Sequence, residues 1–184
     1  KEKGINPINI EEYPTIKNFL NLHWDKLSKR TDKGDTAYNL RNCAYLEDFE
    51  KSKIIYSDIT KFLPFTFDRE KFYTNDRCFF ITGSDLEYLV CLLNSNLFKY
   101  CFKDDFPELQ GNSKKLLKVI FEQLPIKKIP SIEQQPFIKL VDQILTLKKS
   151  NPQADTSALE REIDAMVYAL YGLTDEEIAI VEGS

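Results

Sequence analysis

Histidine, methionine and tryptophan occur once each in 184 residues, and glycine only six times. The single His23 leaves little room for catalysis, because Ser-His-Asp and Cys-His chemistry would both have to pass through it. It lies in the patterned run Phe19-Leu20-Asn21-Leu22-His23-Trp24, where helix surface or satisfied core is expected. The cysteines, at 43, 78, 91 and 101, are too widely spaced for a zinc knuckle, and one histidine does not complete a site. Free, buried thiols in a reducing, cytoplasmic compartment are the expectation. No glycine-rich loop follows a strand pattern, which argues against a dinucleotide cradle. A phosphate-binding Gly-x-x-x-x-Gly-Lys run is missing as well.

Other absences narrow the field further. Amino-group methyltransferases hold a flipped base with an Asn/Asp-Pro-Pro-aromatic run, but Asn6-Pro7 is followed by Ile8 and Asn151-Pro152 by Gln153. The Glu-x-Lys of many metal nucleases does not occur. No apolar run is long enough for a membrane-spanning helix. Lys1-Glu2-Lys3-Gly4 is not followed by an apolar block, so no signal peptide is expected, and the opening Lys1 suggests a piece of a longer protein. On residues alone, a binding or interaction module is favoured over an enzyme.

What is present is a core-forming composition: 42% hydrophobic and 12% aromatic residues, with 13 Phe and 9 Tyr. The formal charge of −4 hides a split, since the front of the chain to residue 130 is mildly basic and the remainder is acidic. Tyr13-Pro14-Thr15 opens a helical pattern that continues through Ile16, Phe19, Leu20 and Leu27. A polar loop, Thr31 to Thr36, follows. Strands are expected at Lys53–Tyr56, Phe72-Tyr73 and Cys78–Thr82, and at best an edge strand or turn at Phe62–Phe67, which contains Pro64. Ser84 with Glu87 reads as a capping box for a helix bearing Leu86, Leu89, Val90, Leu93 and Leu97. Gly111-Asn112-Ser113-Lys114-Lys115 reads as a second exposed, basic loop. Beyond Pro130 the period is helical, with Asn151-Pro152 ending one helix, Ser157 and Glu160 opening a second, Gly172 closing it, and Thr174 and Glu177 opening a third.

A run of segments resembles one family. Phe49-Glu50-Lys51-Ser52-Lys53-Ile54-Ile55-Tyr56-Ser57-Asp58-Ile59 is similar to the core of TaqI-like specificity domains, the C-terminal target-recognition part of type IIG restriction-modification enzymes and related adenine-specific DNA methyltransferases. Tyr38-Asn39-Leu40-Arg41, the helix from Tyr88 to Leu97, Leu124-Pro125-Ile126 and the tail from Ala154 to Thr174 agree in order. Departures include Tyr38 where the family often has Trp, and Ser52, Ser57 and Lys127 where it often has Pro. Type I restriction specificity subunits are a second resemblance, through Pro125-Ile126 and Glu133-Gln134-Gln135. A helical interaction module without DNA binding is the alternative of a different class.

The resemblance implies double-stranded DNA as a partner, and upstream methyltransferase and nuclease domains in the same polypeptide. S-adenosylmethionine would be the parent enzyme's cofactor and magnesium a further candidate, neither bound by this fragment. The residues expected to meet DNA are Lys29, Arg30, Lys33, Tyr38, Asn39 and Arg41 in the first loop, Lys51 and Lys53 at a strand start, and Asn112, Ser113, Lys114 and Lys115 in the second. Arg and Asn suit base edges, and Lys suits phosphates. Tyr73 and Arg77 are further candidates. The expected fold is α+β: a recognition domain over 1–128 with a small mixed sheet and flanking helices, then a helical hairpin over 129–184. The hairpin's apolar stripe packs on its own domain or docks against the missing catalytic part.

Overall fold

Lys53-Ile54-Ile55-Tyr56-Ser57 has the β-branched and aromatic composition of a strand, and it forms the centre of a sheet. The computed structural model describes residues 6–41, 43–61, 65–109, 111 and 113–183. The chain divides into two compact units, 1–46 and 47–184. The division thus falls after Leu46, and residues 129–184 belong to the same unit as 47–128.

In the first unit, Pro14 sits at the start of helix α1 (Pro14–Asn21), where its missing N–H is no loss. The single long helix expected through Leu27 is broken. His23 leaves helical geometry at φ −114° and ψ 19°, and a separate α2 (Trp24–Lys29) follows. None of the described residues of this unit is buried. His23 is exposed, with its ring edge-on to Phe19.

The second unit is α+β. Strand β1 (Lys53–Ser57) lies between β3 (Thr66–Asp68) and β4 (Cys78–Ile81), antiparallel to both. Because side chains alternate across a strand, Ile54, Phe67 and Ile81 share one face, and Lys53, Asp68 and Phe80 share the other. A second antiparallel sheet has the order β2 (Ile59–Thr60), β6 (Ser113–Lys115), β5 (Glu108–Leu109). Two small antiparallel sheets therefore stand in place of the expected mixed one. Phe72-Tyr73, expected as a strand, is irregular. Residues 62–64, including Pro64, lie outside the described residues.

The apolar stripe predicted from Leu86 to Leu97 is divided at Ser95 into α3 (Leu86–Asn94) and α4 (Asn96–Asp105). Ser95 Oγ accepts from Phe98 N at 3.3 Å and so caps the second helix. The core gathers Leu92, Leu93, Phe98 and Phe102 from these helices with Ile54 and Phe67 from β1 and β3. Each such side chain contributes about 1.5–3 kcal/mol on leaving water. A short helix α5 (Lys118–Phe121) leads to α6 (Ser131–Ser150), α7 (Ser157–Tyr171) and α8 (Asp175–Glu182). The expected hairpin stripe is occupied within its own unit, since Phe137, Leu140, Val141, Ile163 and Val167 join the same core. Of the four thiols expected to be buried only Cys91 is, Cys43 and Cys78 being half-buried and Cys101 exposed; burial pushes the Cys91 thiol up to about 12, which keeps it protonated and unreactive.

Of the three Ser/Thr–Glu pairs expected to open helices, two do not form capping boxes. Ser84 donates to Asp85 Oδ2, and Glu87 is drawn instead to Arg69, at 3.2 Å. At α7 the N-cap residue is Thr156, which makes no side-chain bond to the helix backbone; its Oγ1 donates to Glu160 Oε1 at 2.6 Å, while the N–H and hydroxyl of Ser157 both donate to Asp155 Oδ1. Gly172 ends α7 in the left-handed conformation, φ 74°. The third box is complete, because Thr174 Oγ1 accepts from Glu177 N and Glu177 Oε2 accepts from Thr174 N. Thr174→Ala is therefore expected to lower stability by about 1 kcal/mol. A urea midpoint equal to that of the parent chain would show that α8 gains nothing from its cap.

Candidate nucleic-acid interface

The loop after α2 is built from its own polar groups. Gly34 is needed there, because a Cβ at this position would lie 2.5 Å from the carbonyl oxygen of Leu40, where Lys33 and Leu40 bridge. Arg30 Nη2 donates to the carbonyls of Asn39, at 2.7 Å, and Ala37. Asn39 Oδ1 accepts from the N–H and hydroxyl of Thr36, and its Nδ2 donates to the carbonyl of Ile8. Tyr38 donates its hydroxyl to Asn21 Oδ1 at 2.7 Å, and its ring lies 5.3 Å from that of Trp24. Arg30, Tyr38 and Asn39 thus shape the loop.

Lys29, Lys33 and Arg41 remain exposed on it. Lys33 Nζ makes only a long bond to the carbonyl of Ser28, and no partner for Lys29 is found among the described residues. Arg41 is held through Nε by Asp32 at 3.2 Å, with 76% of its side chain still exposed.

In the second unit Lys51 is exposed and paired with Asp48 at 2.6 Å. Lys53 corrects the expectation of a DNA contact. It is fully buried, its Nζ lies 2.6 Å from Asp68 Oδ2, and it donates to the carbonyl of Phe49 at 2.8 Å. A cation enclosed in this way has no access to a phosphate. It neutralises a carboxylate on the far face of the sheet.

The segment 113–115, expected as a loop, is the central strand of the second sheet, because β2 and β5 pair with its backbone on either side. Lys115 is exposed opposite Ile59, and half-buried Lys114 lies opposite Thr60 and Glu108. Neither lysine has an ion pair among the described residues. Glu108 lowers the positive potential around Lys114, which leaves Lys115 the freer cation. Ser113 is half-buried across from Leu109. Asn112 lies outside the described residues.

The sequence pattern did not single out Asp68 or Arg69. Asp68 oxygens accept from Glu70 N and Phe72 N as well as from Lys53. Arg69 joins Glu87 of α3 to Asp142 of α6, at 3.2 and 2.7 Å. Their partners are remote in sequence, so only an Asx-type turn at Asp68 was available as a local signal. No group of His, Cys, Asp and Glu that could hold a metal ion is present among the described residues, and no described helix is long and apolar enough to cross a membrane.

Residues 3–126 match the family model of the TaqI-like C-terminal specificity domain, and the chain belongs to that family. Its role is DNA-target specificity in restriction-modification enzymes, a role of recognition and not of catalysis. The match stops at Ile126, so α6, α7 and α8 lie beyond it.

Proposed function

We propose that this chain reads a specific double-stranded DNA sequence within a bacterial, cytoplasmic type IIG-like enzyme. It holds the duplex while upstream domains of the same polypeptide methylate adenine at N6 and, in a cleaving parent, cut the DNA. The match over 3–126 is the observation that carries this reading. Exposed Lys29 and Lys115, which have no partner among the described residues, support it, since such cations are free to replace the counterions of a phosphate backbone. S-adenosylmethionine belongs to the upstream part, and no residue of this chain is assigned to it.

Binding to cognate and random duplexes across a salt series tests the reading. Lys115→Ala is expected to weaken both complexes alike and to lower the salt slope by about one. Binding that ignores salt, or unchanged binding by the intact enzyme after this region is replaced, would count against a DNA role.

A further inference from the structure

Between β3 and β4 the backbone is tied down while large side chains remain in water. Asp68, only 4% exposed, is neutralised by Lys53 and accepts from Glu70 N at 2.8 Å and Phe72 N at 2.9 Å. Lys71, between those two donors, takes φ +62°, a left-handed conformation unfavourable for a residue with a Cβ. The ring of Tyr73 stacks parallel on Phe49 at 4.8 Å, and its hydroxyl donates to Glu50 at 2.7 Å. Asn75 Oδ1 accepts from Arg77 N, and Asn75 O from Cys78 N. On this frame Phe72 is 62% exposed, with no ring partner among the described residues, and the exposed guanidinium of Arg77 has no partner among them either.

A buried ion pair, a left-handed lysine and a solvated phenylalanine are each unfavourable. None of them extends the apolar core. Held together in one turn, they make a rigid loop that presents a ring and a planar cation, as a preorganised recognition element does. We propose that residues 72–77 form a base-reading loop in which Phe72 packs against thymine methyl groups and Arg77 grips guanine O6 and N7. The inference rests on the specificity-domain reading and adds a contact surface to it. DNA is favoured over a protein partner because the loop that carries the ring also carries an exposed guanidinium fork with no partner among the described residues, together with the Asn75 carboxamide.

The test uses the full chain and a pool of short duplexes with a randomised centre, with the bound fraction sequenced. The wild type should enrich a motif. Phe72→Ala should flatten a thymine preference, and Arg77→Ala a guanine preference, by about tenfold each. Both variants should keep the parent's unfolding midpoint, because both side chains are exposed, and should lose less affinity for the unselected pool than for the enriched motif. An unchanged motif in both variants would overturn the loop's role in reading DNA and leave protein docking in its place. A loss spread evenly over all sequences would also overturn it, as a phosphate contact. No motif from the wild type would instead defeat the specificity reading, and the loop with it.

Discussion

Lys53→Met is expected to destabilise the fold by about 3–5 kcal/mol, the largest effect of any single exposed-looking lysine in the sequence. Methionine fills much the same space, so little cavity forms. The loss comes from Asp68, whose side chain is 1% exposed and would be left in the interior without its counterion. The carbonyl of Phe49 would also lose its donor. Replacing both partners, Lys53→Met with Asp68→Leu, should recover part of the loss, since no unpaired charge remains. Recovery should be incomplete, because Glu70 N and Phe72 N would then lack an acceptor. Urea midpoints of the two variants, set against the parent chain, measure both steps. A single-variant cost below about 1 kcal/mol would place the pair in the range of a surface salt bridge and contradict its burial.

Arg41→Ala is expected to cost about 1–3 kcal/mol at the cognate site and little on random DNA. Its ion pair with Asp32 is exposed on both sides, at 76% and 64%. Such a pair is worth about 0–1 kcal/mol, less than a good bidentate contact to a base edge, so Arg41 can exchange Asp32 for DNA. The surrounding loop is already fixed by Arg30, Asn39 and Gly34, so the fold should survive the truncation. Titrations of the intact enzyme with both duplexes provide the comparison. Equal losses on the two would demote Arg41 to a phosphate contact, and no loss on either would remove it from the interface.

Features that depend on neighbours in the chain were legible in the sequence. Strand β1, the apolar stripes of α6 and α7, the glycine end of α7 and the Thr174–Glu177 box all rest on periodicity or spacing within a few residues. Local signals competed where a remote partner intervened. Glu87 satisfied the box spacing with Ser84, but Arg69 claims it from another element. Ser157 had the right partner at Glu160, yet Asp155 lies closer and Thr156 takes the glutamate.

The segments that carried the family resemblance lie within the match over 3–126 or, like the tail from Ala154, beyond it; the roles of the residues inside them were not legible. Lys51 and Lys53 look alike in sequence, two residues apart at a strand start. The alternation of β1 and the register with β3 send Lys53 into the interior against Asp68, while Lys51 stays in water beside Asp48. Ser113-Lys114-Lys115 has the composition of a loop, and it becomes a strand because β2 and β5 pair with its backbone. Composition and short-range spacing were therefore enough for the α+β class and most helices. Which charges face water was decided by strand register and by partners far along the chain, because burial and ion pairing are properties of the packed tertiary structure.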